Sequence, residues 1–510
     1  MREISLRIMH CALRIFIIAS IIFFTSTVNA AELVILHTND IHGRILKTDD
    51  EGKSMGFAEM VAAIKTLKSK NINSLWLDAG DTLHGMPSIN VSKGENMLNL
   101  LNIAGLDAMT AGNDDFNYSA DTLVNLTKKA KFDFLDANLV YRNNDKLVFK
   151  PYKIYKMPNG LRVGVFGLTT PDTQVKARPS YVRGINFLNP IEIARDMVKE
   201  LRPKCDVLIA LTHLGVDKNS NFNNMRLVNE VDGIDLIIDG HSHSVLPMGL
   251  TINKTLIVQT GWHAYNLGKV TITLDDKKIT NKKASLLNYE AVSQINPVPD
   301  KNISAAISKM QRENSELFGQ VVAQNHKFLE GNAFIMRYSE TELGDLIADA
   351  FRWRSGADFA VINGGAIRSD LPEGDVTKGD IMKIFPFGNQ LKVVEISGST
   401  IREMLEHSVS KYPEFFGGFL QVSGIRFIVT TNIPNESRVG DIFINNAPLV
   451  DNKIYTMATA DFLLEGGDDY DMLKKLSVIG QFGTCEEILT EYLQEIVMKK
   501  IDVDRIIINK

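Results

Sequence analysis

From about position 32 to 289, short apolar runs alternate with stretches whose apolar residues recur every three or four positions. The runs at 33–37, 74–78, 108–110, 132–136, 163–168, 207–212, 236–239 and 256–260 have the length expected of short buried strands. Segments 56–69, 95–104, 119–129 and 190–201 carry the helical period. Strands interleaved with helices predict a layered α/β domain. Two prolines within 296–300 interrupt the pattern, and a polar helix is predicted over 301–317 as an inter-domain linker. A second α/β segment fills the remainder. The expected division is 31–295, a linker at 296–318, and 319–510, with no internal repeat or low-complexity tract.

Bulk properties narrow the picture. A chain of 510 residues is too long for one compact core, and 45% hydrophobic with 23% charged residues is an ordinary soluble composition. A net charge of −5 gives no basic footprint for nucleic acid, so none is expected as a partner. The N-terminus differs from the rest. Arg2, Arg7 and Arg14 precede an apolar run over 15–24, and Val28-Asn29-Ala30 places small residues at −3 and −1. This predicts a secretory signal peptide over 1–30 and a periplasmic or secreted product. An uncleaved anchor is the alternative, although a run of about ten residues is short for a span. No second stretch of membrane length follows, so stable insertion after cleavage is not expected. Cys11 lies in the leader, and Cys205 and Cys485 fall in different predicted domains, so no disulfide is expected.

Candidate chemistry sits where the strands end. His37-Thr38-Asn39-Asp40-Ile41-His42-Gly43, Asp78-Ala79-Gly80-Asp81-Thr82, Ala111-Gly112-Asn113-Asp114, Leu211-Thr212-His213-Leu214-Gly215 and Asp239-Gly240-His241-Ser242-His243 each follow an apolar run. An α/β sheet presents its ligands at that place. Carboxylate, amide oxygen and imidazole together suit Zn, Mn, Fe or Co rather than a thiolate site. One such cluster alone is more often a loop detail. Five in succession point to a metal centre.

In order, spacing and strand context these clusters resemble the calcineurin-like metallophosphoesterases, whose blocks run D-x-H, G-D, G-N-H-[DE], H and G-H-x-H. The resemblance implies a four-layer α/β/β/α domain and two divalent metal ions. Asp40, His42, Asp81 and His243 would hold one metal. Asp81 would bridge to a second, held also by Asn113, His213 and His241. Such pairs lie roughly 3.5–4 Å apart and activate water for attack on phosphorus.

Beyond the linker stand Arg337-Tyr338-Ser339-Glu340, Asn363-Gly364-Gly365-Ala366-Ile367-Arg368, Pro386-Phe387-Gly388-Asn389 and Asp461-Phe462-Leu463-Leu464-Glu465-Gly466-Gly467-Asp468-Asp469-Tyr470. An Asn-Gly-Gly turn with a nearby Arg could cradle phosphate, and Phe residues in Gly-bearing loops could stack a base or anchor the loops in the core. These blocks resemble the C-terminal domain of the 5'-nucleotidase family, extending the resemblance over nearly the whole chain after the leader. It implies a small-molecule nucleotide substrate. Arg337 and Arg368 would grip its phosphate, Phe387 and Phe462 would sandwich its base, Asn363 and Asn389 would meet the base edge, and Asp468 would bind ribose hydroxyls. Rotation of the two domains about the linker is a further expectation.

One block departs from the family. Where G-N-H-E-F-D is usual, this chain has Gly112-Asn113-Asp114-Asp115-Phe116-Asn117. The catalytic imidazole is replaced by Asp114 and its carboxylate partner by Asn117. Losing a catalytic acid–base group typically costs about 10²–10⁴-fold in rate. Three outcomes are open: reduced or redirected hydrolysis, a protonated Asp114 acting as general acid, or nucleotide binding with little turnover. His84, three residues past Asp81, is a candidate replacement imidazole. Asp469 stands where the family tends to have Gly. A 2',3'-cyclic-nucleotide 2'-phosphodiesterase with 3'-nucleotidase activity is the neighbouring enzymatic alternative, because Phe116-Asn117-Tyr118 is similar to that branch.

Overall fold

The computed structural model describes residues 31–47, 54–177, 179–216, 220–434, 437–495 and 503–509; the expected leader at 1–30 lies outside them. All eight predicted strands of the first half form. The first sheet runs Lys278–Leu287, Leu267–Asp275, Ala31–Thr38, Ser74–Asp78, Ala108–Met109, Asp133–Phe134. The second runs Leu250–Ile252, Thr255–Val258, Leu236–Ile238, Val207–His213, Arg162–Thr169, Tyr152–Lys156. The second sheet has a parallel centre and antiparallel edges, whereas the first is antiparallel on its Lys278–Leu287 side and parallel through to its Asp133–Phe134 edge.

Strand Ala31–Thr38 shows why its run is continuously apolar. Leu33 and Ile35 point into a core shared by the two sheets, against Val163, Val165, Ile209 and Leu236. Val34 and Leu36 point the other way, into a core with Val61 and Ile64 of helix Phe57–Lys70 and Leu98 and Leu101 of helix Glu95–Ala104. Burial on both faces removes the polar alternation of a one-sided sheet, and each such side chain contributes about 1.5–3 kcal/mol. On the far side of the second sheet, helices Pro190–Leu201 and Asn224–Glu230 cover Phe166, Leu208 and Ile237. The layers are therefore α/β/β/α.

Helix Lys301–Gly319 follows. Asp300 caps it by accepting hydrogen bonds from the Asn302 and Ile303 amides, and Ile303, Ile307 and Met310 join the core of the first half. The C-terminal half has a five-stranded sheet in the order Leu420–Ser423, Phe359–Asn363, Ile454–Ala460, Gln390–Ser397, Val478–Thr484. Ala360, Ile362, Leu391 and Val393 face helices Glu342–Ser355 and Cys485–Glu495. Phe359, Val361, Val394 and Ile396 face helix Gly398–Ser408 and a four-stranded sheet. Cys205 and Cys485 are buried and unbridged. Among the described residues no helix is long and apolar enough to cross a membrane.

Candidate metal centre and cleft

The expected ligands converge at the C-terminal ends of the parallel strands. Asp40, Asp81, His213, His241 and His243 lie in, or within five residues of, strands ending at Thr38, Asp78, His213 and Ile238. Asp40, His42 and His243 offer ligand atoms within 4.8 Å of one another, as do Asp40, Asp81 and His213, and also His42, Asp81 and Asp114. His42 Nε2 lies 3.2 Å from His243 Nε2, and His243 Nε2 lies 3.4 Å from Asp40 Oδ1. His241 and Asn113 meet each other, Nδ1 to Oδ1 at 2.8 Å. Two glycines make the convergence possible. A Cβ on Gly112 would overlap the Asp81 carboxylate, and one on Gly240 would press between His213 and Asp40.

His213 tests whether this set fits a cation. Its Nδ1 lies 2.6 Å from the Ala79 carbonyl, which can only accept, so the proton sits on Nδ1. The buried Nε2 then has no hydrogen-bond partner while standing 3.3 Å from Asp81 and 4.0 Å from Asp40. A lone pair facing two carboxylates requires a positive charge between them. In the metal-free protein a second proton fills that role: burial lowers the imidazole's affinity for it, but Asp81 and Asp40 push the group up to about 10. The donors fit divalent metal ions.

Three further carboxylates hold the loops. Asp115 accepts from the amides of Asp81, Thr82, Leu83 and Gly112 at 2.8–3.1 Å. Asp78 accepts from Thr38, Thr82 and the Gly80 amide. Asp239 accepts from Thr212, Gln259 and the amides of Leu214 and Gly215. These loop-holding residues were not singled out in the sequence; an Asp closing an apolar run before a Gly is the signal that would have found Asp78 and Asp239.

Asp114 is buried, with Oδ2 3.3 Å from His42 Nδ1. Burial raises its pKa, but the His42 hydrogen bond and the positive charge beside it, Arg368 foremost, outweigh that and hold it well below the usual carboxylate range. With no substrate phosphate beside it, Asp114 is therefore held as the carboxylate. His84 stands 4.0 Å from Asp114, with Asn117 Nδ2 3.5 Å from its Nδ1. Its Nε2 faces the Pro386 carbonyl at 3.3 Å and its ring stacks on Phe387 at 5.3 Å. Burial pushes it down to about 4, leaving it neutral. His84 thus sits near Asp114 but is turned onto the other half of the protein.

A cleft of about 490 Å³ joins the halves. His42, Asp81, Asn113, Asp114, Asn117, His241 and His243 line it from one side; Arg337, Asn363, Arg368, Phe387, Asn389, Phe462 and Asp468 line it from the other. Arg368 Nε donates to the Gly365 carbonyl, and neither Arg337 nor Arg368 has a carboxylate ion-pair partner among the described residues. The buried Arg337 Nε and Asn363 Oδ1 have no hydrogen-bond partner among the described residues. Burial and the nearby Arg368 lower Arg337 to about 10, so it stays charged at neutral pH.

Phe387 and Phe462 both line the cleft. Phe387 lies against His84 with the ring planes 15° apart, and the Arg368 guanidinium is 4.9 Å from its centroid. Phe462 packs on Gly467. Phe415, Phe416, Phe334 and Trp262 also line the cleft, as do Lys176 and Lys411, and the sequence had not marked any of them. The Phe415-Phe416-Gly417-Gly418 run carries the same aromatic–glycine signal as Phe387. Asp468 accepts from Lys176 at 3.0 Å and from Asn363 at 2.9 Å, so both carboxylate oxygens are engaged. Asp469, like Asp468, adopts a positive φ, of 64°.

Comparison with known proteins agrees with this geometry. Residues 33–245 match the calcineurin-like phosphoesterase family and residues 321–475 match the 5'-nucleotidase C-terminal domain. The chain is 29% identical to the trifunctional nucleotide phosphoesterase protein YfkN of Bacillus subtilis, over 91% of its own length but only 34% of that longer protein. It is 31% identical to a snake venom 5'-nucleotidase of Crotalus adamanteus, covering 87% of this chain and 82% of that one. The crystal structure of a 5'-nucleotidase precursor from Thermus thermophilus superposes with a TM-score of 0.82 at 28% identity, covering 94% and 99% of the two chains. Site geometry, both domain matches and full-length similarity agree, and the chain belongs to the 5'-nucleotidase family.

Proposed function

We propose that this protein hydrolyses nucleotide phosphate monoesters of the 5'-nucleotidase type, outside the cytoplasm, for nucleotide scavenging. One observation carries the proposal: a cation-demanding cluster of carboxylates and imidazoles shares a cleft with two guanidiniums that have no carboxylate partner among the described residues. Such a cleft suits a phosphate bearing an organic group. Two divalent ions held by Asp40, His42, Asp81, Asn113, His213, His241 and His243 would supply Lewis acidity and lower the pKa of water. Zn, Mn, Co and Fe all suit these donors.

The chain's own groups do the rest. Arg337 and Arg368 orient the phosphate, and Asn363 Oδ1 accepts a hydrogen bond from the nucleoside. Phe462, with neighbouring Phe415 and Phe416, receives the base, with Asn389 at its edge. Asp468 meets the ribose once Lys176 shares or releases it. Export is supported by the basic, apolar and small-residue pattern of 1–30.

The test is phosphate release from 5'-AMP, 3'-AMP, 2',3'-cyclic AMP and UDP-glucose with Mn, Co or Zn added to metal-free protein. Metal-dependent release from 5'-AMP is expected. Preference for the cyclic or 3' substrates would favour the phosphodiesterase reading suggested by Asn117, which lines the cleft. Nucleotide binding without turnover on any substrate would overturn the enzymatic proposal.

A further inference from the structure

Two histidines of the metal cluster have the Nδ1 edge of the ring against an oxygen outside the seven ligands. For His213 it is the Ala79 carbonyl at 2.6 Å. For His42 it is the carboxylate of Asp114 at 3.3 Å. The opposite nitrogen, His42 Nε2, faces His243 and the ligand cluster. Asp114 is itself held on two sides. Its amide donates to Asp81 Oδ1 at 2.7 Å, and its Oδ1 accepts from Asn113 Nδ2 at 3.0 Å. A carboxylate on the far nitrogen of a metal-ligating imidazole fixes the tautomer and ring angle and makes the ligating nitrogen more basic.

We infer that Asp114 is a positioning residue for the metal centre: it locks His42 with the proton on Nδ1 and the Nε2 lone pair turned to the metal. The residue that replaces the expected catalytic imidazole has thereby become part of the support of a ligand. This rests on the metal-centre reading but not on which ester is hydrolysed. Supporting positions of this kind typically change metal affinity by about 10–100-fold when removed.

The experiment is a cobalt titration of metal-free wild type, Asp114→Ala and Asp114→Asn, without nucleotide, followed by visible absorption and zinc competition. Asp114→Ala should weaken one of the binding events by about 10–100-fold and shift the cobalt absorption bands. Asp114→Asn, whose amide oxygen can still accept from Nδ1–H, should recover much of both. Wild-type affinity and spectrum in Asp114→Ala would overturn the inference. So would equal weakening of every binding event with no recovery in Asp114→Asn, which would mark a merely structural role. If Asp114→Ala does not fold, Asp114→Asn decides alone: near wild-type bands support the inference and alanine-like loss of cobalt overturns it. Cobalt uptake by wild type that fails to hydrolyse 5'-AMP would sink the proposed activity and leave this inference standing. No uptake by wild type would sink the metal reading and the inference with it.

Discussion

Asp40, His42, Asp81, His241 and His243 adopt positive φ angles of 47–77°, a region that costs a non-glycine residue of order 1–3 kcal/mol. Those backbones aim the side chains inward, and the surrounding hydrogen bonds hold them there. His213 carries the electrostatic side of the same arrangement. With its metal-free value raised to about 10 from 6.5, its proton contributes stability that is fully present below pH 6.5 and fades as pH rises toward 10. A metal ion needs the same lone pair, so binding must expel the proton. Apparent metal affinity should therefore rise with pH, by up to about tenfold per unit between pH 6.5 and 9 for this group alone. Calorimetry in buffers of different ionisation enthalpy checks this. A binding heat independent of buffer would show that no proton leaves.

At the scale of elements, the strands most legible in the sequence are those buried on both faces, because a continuous apolar run has few other uses. The hairpin Leu267–Asp275 and Lys278–Leu287 escaped notice. Its second strand lies mostly open at the sheet edge and reads Lys-Ile-Thr-Asn-Lys-Lys, with no apolar run to betray it. The candidate ligands were legible because each follows or closes a strand. The residues that hold them were less so: Asp115 sits in a 3-10 turn, Asp114–Phe116, and meets residues about thirty positions away. Trp262 and Lys176 reach the cleft only through tertiary folding. Asp115 gives the prediction for this level. Replacing it with Ala leaves amides of Gly112, Asp81, Thr82 and Leu83 without their acceptor. Even one buried polar group left unsatisfied costs about 1–3 kcal/mol, so Asp115→Ala should lower the denaturant midpoint and loosen metal binding together. Loss of neither would mean that water replaces the carboxylate at no cost.

For the whole molecule, function depends on how two halves with separate cores meet across one cleft. Among the described residues, the contacts there include several polar and aromatic ones. His84 and Asn90 reach the Pro386 carbonyl, His84 stacks on Phe387, Trp262 meets Phe334 edge-on, and Lys176 pairs with Asp468. Polar contacts between domains permit relative motion, and a nucleotide held, as proposed, between the metal site and the guanidiniums would need such motion to enter and leave. The Lys176–Asp468 pair bridges that motion. Asp468 is buried but the Lys176 side chain is 33% exposed, so solvent screening limits the pair to roughly 0.2–1 kcal/mol. Lys176→Ala should then shift the balance toward an open cleft by no more than about fivefold. Distances between spin labels placed one in each half, measured without nucleotide, would show a larger open fraction. A distance distribution identical to wild type would mean that the aromatic and carbonyl contacts alone set the closed state. Those contacts centre on His84, Phe387 and Trp262, so the hinge would then be governed from the metal side of the cleft rather than from the ribose side.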